Sequence, residues 1–312
     1  MSVGQRRIGG DIGGTKTLLR CLEANGEVSL DERYASGDYA TFDELLGAFT
    51  ASLPGPVDAA CFAVAGPVWE GRAEVTNLGW TMDARSLASA FSIGRVSLIN
   101  DFHAVAAGVP LLDENDLLPL HRGERDRSAP VAILGAGTGL GEAFLIHGQV
   151  VSSEGGHGDF APQDEEQTRL FLALQERYGG HVSWERLLSG TGLVNIFTFL
   201  GGDEIDAAEV AELADGGDPR ATRAFEIFVD IYGSEAGNMA LRVLARGGVY
   251  LAGGIAAKNV SRFTDGRFVE AFLRKGRFRE LMETIPLDLI VNEEVGLMGA
   301  MRVAEGRGAN DE

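Results

Sequence analysis

Only two cysteines, Cys21 and Cys61, occur in the 312 residues, with no CxxC pair and no Cys/His spacing suited to zinc. Disulfide scaffolding and a structural zinc site are therefore not expected. Positive charge is scarce as well: 27 Lys and Arg stand against 46 Asp and Glu, a net charge of −19. Such a field repels nucleic acid and anionic membrane, so neither is an expected partner. An anionic substrate would need backbone amides or a metal ion to hold it locally. Long apolar runs are missing too. No stretch approaches a membrane span, and "MSVGQRR" runs into a strand without an apolar signal region. A cytoplasmic location is the expectation, and "NVS" at Asn259 carries no meaning as a glycosylation acceptor without secretion.

Glycine is what the chain has in excess. Its 43 residues are about twice the usual share of roughly 7%. Most fall in short clusters, where backbone turns tightly or approaches a ligand closely. Hydrophobic residues at 45% and charged residues at 23% describe a globular protein large enough for two domains of ordinary size.

The opening segments "RRIGGDIGG" and "KTLLRCLE" predict strands around a glycine turn, followed by a hairpin at Asn25-Gly26. "TFDELLGAFTASL" predicts a helix opened by a capping box from Thr41 to Glu44. "VDAACFAVAG" and "RVSLIN" predict strands on either side of a helix capped by Asp83. After the polar segment "HRGERDRSAP" the pattern restarts with "VAILGAG", "LGEAFLIHG" and "QVVSSE", which suggests a weak internal duplication. Helices then dominate from Asp164 to Arg246. A strand "VYLAGG", short helices, a strand "LDLIVN" and a last helix "VGLMGAMRVAEG" follow. Alternating elements with interspersed hairpins predict an α/β protein with mixed sheets.

Two glycine turns hold the first candidate chemistry. "GGDIGGTKT" fails as a Walker A loop, since Thr15 separates Gly14 from Lys16 and a strand follows. "GAGTGLG" fails the dinucleotide fingerprint, with Leu140 in its sixth position. Each remains a Gly/Thr hairpin turn able to aim backbone N–H groups and a threonine hydroxyl at phosphate oxygens, or a tight turn with no ligand. Asp11 in the first would repel phosphate unless a divalent cation lay between them. A third glycine cluster, "LAGGI", follows a later strand.

"SLINDFHAVAAG" ends an apolar strand in Asn100-Asp101. On its own, Asp101 reads as a helix N-cap or as a carboxylate placed to accept a proton at a strand's carboxyl end. "SEGGHGDF" sets Glu154 and His157 around two glycines, and Glu185 lies in "SWERLLSG". These read either as turn and surface residues or as ligands for sugar hydroxyls, which donate and accept at once.

In that order, "DIGGTKT", "GAGTGLG" and "LAGGI" resemble the two phosphate segments and the adenosine segment of the sugar-kinase, actin and heat-shock ATPase superfamily. "LINDFHAVAAG", "EGGHGDFAP" and "HVSWERLLSGTGLVNIF" narrow the resemblance to the bacterial ATP-dependent glucokinases, from about residue 6 to residue 303. The resemblance implies an actin-like ATPase fold: two unequal α/β domains with mixed, ribonuclease-H-like sheets flanking a cleft. It implies a small domain at 1–109, joined by a C-terminal helix at 296–312, and a large domain at 110–295. The implied reaction is phosphorylation of D-glucose to glucose 6-phosphate by ATP, with Asp101 as general base. Asn100, Glu154, His157 and Glu185 would bind glucose. Asp11, Gly13, Gly14, Thr15, Gly137, Thr138, Gly139, Gly253 and Gly254 would hold ATP, with Mg²⁺ near Asp11 through phosphates or water. A homodimer is implied as well.

Two departures accompany the resemblance. The related repressor and sugar-kinase group has a cysteine-rich zinc motif after its histidine, where this chain has "HGDFAPQDEE", the zinc-free pattern. Lys16 stands where these glucokinases often carry an amide, which leaves open whether it contacts phosphate or solvent. Rival readings are a kinase of another hexose or N-acetylhexosamine, and a sugar-sensing repressor. The repressor would need a DNA-binding helical module ahead of Gly9, where only a handful of residues lie. ATP, polyphosphate and ADP all remain open as phosphoryl donor.

Overall fold

The computed structural model describes residues 5–75 and 77–306, which form two compact units. One comprises the described residues up to Asp113, with Gly148–Val151 and the residues from Asn292 onward; the other comprises Glu114–His147 and Ser152–Val291.

In the first unit the alternating sequence yields β1 (Arg7–Ile12) and β2 (Lys16–Leu22), paired antiparallel. Gly26, at φ +87°, makes the turn into β3 (Val28–Ala35). Thr41 caps α1 (Phe42–Thr50) by accepting the Glu44 N–H. The Glu44 carboxylate, however, reaches back to the Ala40 N–H at 3.0 Å, one residue earlier than in the box expected from sequence. The fully buried β4 (Ala59–Val64) runs parallel to β1. A small antiparallel sheet, β5 (Val68–Trp69), β6 (Arg72–Val75) and β7 (Trp80–Asp83), fills a stretch for which the sequence pattern gave no strand. Asp83 caps α2 (Ala84–Ala90) as expected. Then β8 (Arg95–Asn100) completes a sheet of order β3-β2-β1-β4-β8, and α3 (Asp101–Gly108) leaves its end.

The second unit begins with β9 (Leu117–His121), another strand the pattern did not announce, a five-residue edge strand interrupted by Pro119. It continues through β10 (Val131–Ala136) and β11 (Leu140–Ile146); β12 (Gln149–Ser153) pairs in the same sheet, its first three residues counted with the first unit. Four longer helices follow: α4 (Glu165–Arg177), α5 (Gly190–Phe199), α6 (Ala207–Asp215) and α7 (Pro219–Val243). After β13 (Gly248–Ala252) come the short α8 (Gly254–Lys258), α9 (Val260–Phe263), α10 (Arg267–Leu273) and α11 (Arg279–Glu283), and then β14 (Leu287–Ile290). The sheet order is β12-β11-β10-β13-β14-β9. Its core gathers Phe225, Phe228, Tyr232, Phe263, Phe268 and Phe272 along the buried face of α7.

The last helix, α12 (Val295–Ala304), belongs to the first unit and lies on β1 and α3. Glycine makes that approach possible. A Cβ at Gly299 would fall 1.7 Å from the Ala104 carbonyl oxygen, and one at Gly108 would fall 2.2 Å from that of Val295. Any side chain there would push the two helices apart.

Candidate active site

In the first unit, β1, β4 and β8 run parallel and end level: Ile12 is in register with Val64, and Val64 with Asn100. Open α/β sheets bind ligands beyond such carboxyl ends. The turn Gly13-Gly14-Thr15 leaves β1 at this edge. Ser36 holds it from below, its N–H donating to Thr15 O at 3.0 Å and its hydroxyl to Gly13 O at 2.8 Å. Buried Thr17 meets the Ser36 hydroxyl at 3.0 Å. Neither residue was singled out from sequence; their signal is two small hydroxyl residues at otherwise apolar strand and turn positions.

Asn100 and Asp101 stand at the end of β8. The cap of α3 is Asn100, not Asp101: the Asn100 Oδ1 accepts the N–H groups of Phe102 at 2.9 Å and His103 at 3.3 Å. Its extended backbone (φ −64°, ψ 147°) points Oδ1 back over the first turn, and its Nδ2 donates to Gly66 O at 3.1 Å. Asp101 is the first helical residue, and its Oδ1 accepts the Phe102 N–H at 2.8 Å. Capping thus does not explain Asp101. Burial raises its pKa above the usual carboxylate range, opposed by that amide and by Asn100.

Asp11, one residue before the end of β1, is pushed up to about 6 by burial and then by the charge of Asp101, with Lys16 opposing. It lies against the first turn of α12; a Cβ at Gly296 would come 3.2 Å from its Oδ2. Two half-buried carboxylates that repel each other fit a divalent cation, which would relieve the repulsion. No group of three or more His, Cys, Asp or Glu with metal-ligand geometry occurs among the described residues. A cation beside Asp11 would therefore draw most of its ligands from phosphate and water, as Mg²⁺ does. Lys16 points to solvent and pairs with exposed Glu293 at 3.3 Å.

In the second unit the turn Gly137-Thr138-Gly139 joins β10 to β11. Gly137 N–H donates to Gly139 O at 2.9 Å, and Gly190 N–H donates to Gly137 O at 2.8 Å. Gly253, at φ +87°, backs onto β10; a Cβ there would sit 2.4 Å from Ala136 O. The "GAGTGLG" and "LAGGI" segments thus meet backbone to backbone, with Gly254 opening α8. Beside Thr138 a cavity of about 420 Å³ is lined by Gly190, Thr191, Val194, Glu204, Ile205 and Asp206 among others, a feature without a sequence signal.

Glu154, His157 and Glu185 gather at the first residues of β11. Glu185 Oε2 accepts the Leu140 N–H at 3.0 Å, tying that carboxylate to the turn. The two glycines of "EGGHG" let their 3-10 turn press on the same strand. A Cβ at Gly156 would lie 2.5 Å from Leu140 O, and one at Gly155 would lie 2.1 Å from Glu142 Oε2. His157 stands between two acids, its Nε2 3.6 Å from Glu154 Oε2 and its Nδ1 3.9 Å from Glu185 Oε1. Glu154 and His157 are exposed. The cluster offers two carboxylates and an imidazole at one surface, a pattern matched to hydroxyl groups. Asp11, Gly13 to Thr15, Asn100 and Asp101 belong to the first unit; Gly137 to Gly139, Glu154, His157, Glu185, Gly253 and Gly254 belong to the second.

The glucokinase family model matches residues 8–307. A glucokinase of Nostoc sp. (strain PCC 7120) is 40% identical, the match covering 94% of this chain and 97% of the relative. One of Synechocystis sp. is 38% identical over 96% and 98%. A crystal structure of glucokinase from an Antarctic psychrotroph superposes with a TM-score of 0.88 at 30% identity, covering 97% of this chain and 99% of that one. The ROK family glucokinase of Streptomyces griseus, solved with glucose and AMPPNP, has a TM-score of 0.65 at 20% identity over 96% and 99% and shares the fold. The chain belongs to the glucokinase family.

Proposed function

We propose that this chain transfers the γ-phosphoryl group of ATP to the 6-hydroxyl of D-glucose, with Asp101 accepting the hydroxyl proton. The observation that carries the reading is the state of Asp101: at the carboxyl end of β8, half-buried, raised in pKa, and relieved of capping by Asn100. Phosphoryl transfer asks a protein for position, charge neutralisation and a proton acceptor more than for covalent chemistry. A carboxylate raised by burial is a better acceptor than one in water.

The two Gly/Thr turns present N–H groups to the phosphates, and Gly253 and Gly254 frame the nucleotide side. Asp11 would hold Mg²⁺ through phosphate or water. The ion supplies neutralisation of the phosphate charge. Glu154, His157 and Glu185 orient the hexose ring by hydrogen bonds, and Asn100 adds its second Nδ2 hydrogen, the first being donated to Gly66 O. Excluding water from the reacting hydroxyl limits wasteful hydrolysis of ATP. The same reading includes a homodimer in the cytoplasm, which light scattering of the purified protein tests for the dimer.

A coupled ADP-release assay across glucose, other hexoses and N-acetylhexosamines tests the reaction, with ATP, ADP and polyphosphate as donors. Glucose with ATP is expected to give the highest kcat/KM. A preference for an N-acetylhexosamine, or turnover without ATP, overturns it.

A further inference from the structure

Glu142 takes no part in the roles assigned above, yet it lies beneath the sugar-side turn. It sits on β11 two residues after Leu140, its side chain is fully buried, and neither carboxylate oxygen has a hydrogen-bond partner. A second fully buried carboxylate, Glu235 of α7, faces the same guanidinium. Arg242 Nη1 lies 2.6 Å from Glu235 Oε1 and 3.7 Å from Glu142 Oε2. Asn238 Nδ2 donates to Glu235 at 2.8 Å. Glu235 is therefore the satisfied partner and Glu142 the orphan. Other titratable groups around the pair are few. Tyr232 of α7 senses the Glu142 charge. Lys275 senses Glu235, its ammonium spent on Ser234 O at 2.7 Å and Asn238 Oδ1 at 2.8 Å. From the loop side the nearest titratable residues in sequence are Glu154 and His157, which flank the two glycines.

Two buried carboxylates sharing one guanidinium leave a negative charge that no donor meets, and such a group takes up a proton instead. The geometry points to Glu142 as a positioning residue for the sugar-side turn: protonated, it packs neutrally under Gly155 and holds the Glu154–His157 turn in its glucose-binding form; ionised, it weakens that form. The inference rests on the assignment of Glu154 and His157 to glucose. The contact through which it acts is the Gly155 approach, where even a methyl group would be 2.1 Å from Glu142 Oε2. Burial first, then Glu235, pushes Glu142 up to about 7, against the pull of Arg242. The tight form is thus favoured at acid pH, and glucose affinity falls as pH rises through about 7.

Glucose binding to the full chain is measured by calorimetry without nucleotide, between pH 6 and 8.5. Affinity of the unsubstituted protein is expected to fall by roughly tenfold, within the limit of one decade per pH unit that one linked proton sets. Glu142→Gln, neutral at every pH, is expected to lose that slope, while any titration of His157 stays common to both proteins. Glu235→Gln removes the neighbouring charge and is expected to shift the transition in the opposite direction from deprotonation of Glu235, because the shared Arg242 then turns wholly to Glu142: the fall moves to lower pH. A Glu142→Gln variant that keeps the full slope overturns the inference. If that variant does not fold, an unmoved transition in Glu235→Gln overturns it equally. Glu154→Gln, run alongside, separates the two levels. Unchanged glucose affinity in Glu154→Gln overturns the sugar assignment and this inference together, whereas a retained slope in Glu142→Gln overturns this inference alone.

Discussion

The two large sheets repeat one strand order, β3-β2-β1-β4-β8 in the first unit and β12-β11-β10-β13-β14 in the second, before β9 extends the latter. In both, a Gly/Thr turn joins an antiparallel pair, and a parallel neighbour follows on the other side. The turns themselves differ. Four residues, Gly13 to Lys16, separate the last ladder pair Ile12–Thr17, whereas three, Gly137 to Gly139, separate Ala136–Leu140. One residue before the strand end the first unit has Asp11 and the second has Gly135. The first turn is braced by Ser36; the second by Gly190, Glu185 and the approach of Gly253. One scaffold thus carries a Gly/Thr turn twice, while the acids that the proposed reaction assigns to a cation and a proton, Asp11 and Asp101, stand in the first unit. That placement has a folding cost, since Asp11 and Asp101 are partly desolvated and repel each other.

The largest effect is expected at Asp101. Asp101→Asn keeps the shape and can still accept the Phe102 N–H, and the cap is untouched because Asn100 provides it. Only the proton acceptor goes. Steady-state kinetics should show kcat lower by about two to four orders of magnitude, with a small change in KM for glucose. Turnover within a few-fold of the unsubstituted enzyme would remove Asp101 from the chemistry.

Asp11→Asn tests the cost as well as the role. Below about pH 4 the carboxyl is protonated in both folded and unfolded chains, so it carries no penalty. Between about 4 and 6 the unfolded chain releases the proton first, and above about 6 the folded state bears the whole cost. At pH 7.5 the variant should therefore be more stable to urea, by about 1–3 kcal/mol, and the gain should vanish near pH 4. The same variant should need about 10- to 100-fold more Mg²⁺ for half-maximal rate. Equal stability and an unchanged Mg²⁺ requirement would mean that the first turn is no more acidic in function than the second.

Much of this was legible in the sequence, for physical reasons. Short apolar runs ending at glycine turns mark β4, β10 and β13, because burial on both sheet faces dictates that pattern. The α/β fold followed from alternating elements with interspersed hairpins, and the family from the glycine turns together with "LINDFHAVAAG", "EGGHGDFAP" and "HVSWERLLSGTGLVNIF". What escaped was set by contacts remote in sequence. Nothing local says that Asn100 rather than Asp101 caps α3, since both are good caps and ψ of Asn100 decides it. Nor does the sequence near Glu142 announce Arg242, 100 positions on, or the pressure of Gly155. The small β5-β6-β7 sheet was missed because its strands are two to four residues long. The double glycine in "EGGHG" was visible, but its cause, the press of the turn on Leu140 and Glu142, was not.

On the sugar side, Glu154 gives a cleaner test than Glu185. Glu185 is bonded to the Leu140 N–H next to the second turn, so Glu185→Gln is expected to disturb nucleotide and sugar together. Glu154 is exposed and touches the turn only through His157. Glu154→Gln should weaken glucose by about 1–2 kcal/mol, a factor of roughly 5 to 30 in KM, and leave ATP affinity without sugar unchanged. Loss of ATP affinity with intact glucose binding would move Glu154 to the phosphate side.

The smallest effect is expected at Lys16, which sharpens the contrast between the two turns from the other end. The residue that leaves the first turn is this exposed lysine, while the one that leaves the second is Leu140, buried in the core. Lys16 pairs with Glu293 at 3.3 Å, with side chains 45% and 70% exposed, and an ion pair in water of that kind contributes about 0–1 kcal/mol. Lys16→Gln should therefore shift the urea midpoint barely at all. Its effect on ATP depends on whether the ammonium leaves Glu293 for a phosphate. The exposed pair is weak enough to break, but the side chain points to solvent, and the proposed reading already assigns the turn's N–H groups to the same ligand. A change in KM for ATP of less than about threefold is expected, which is under 1 kcal/mol. A rise of tenfold or more, reversed by Lys16→Arg and absent for glucose, would show that the first turn holds phosphate with a side chain where the second uses backbone alone.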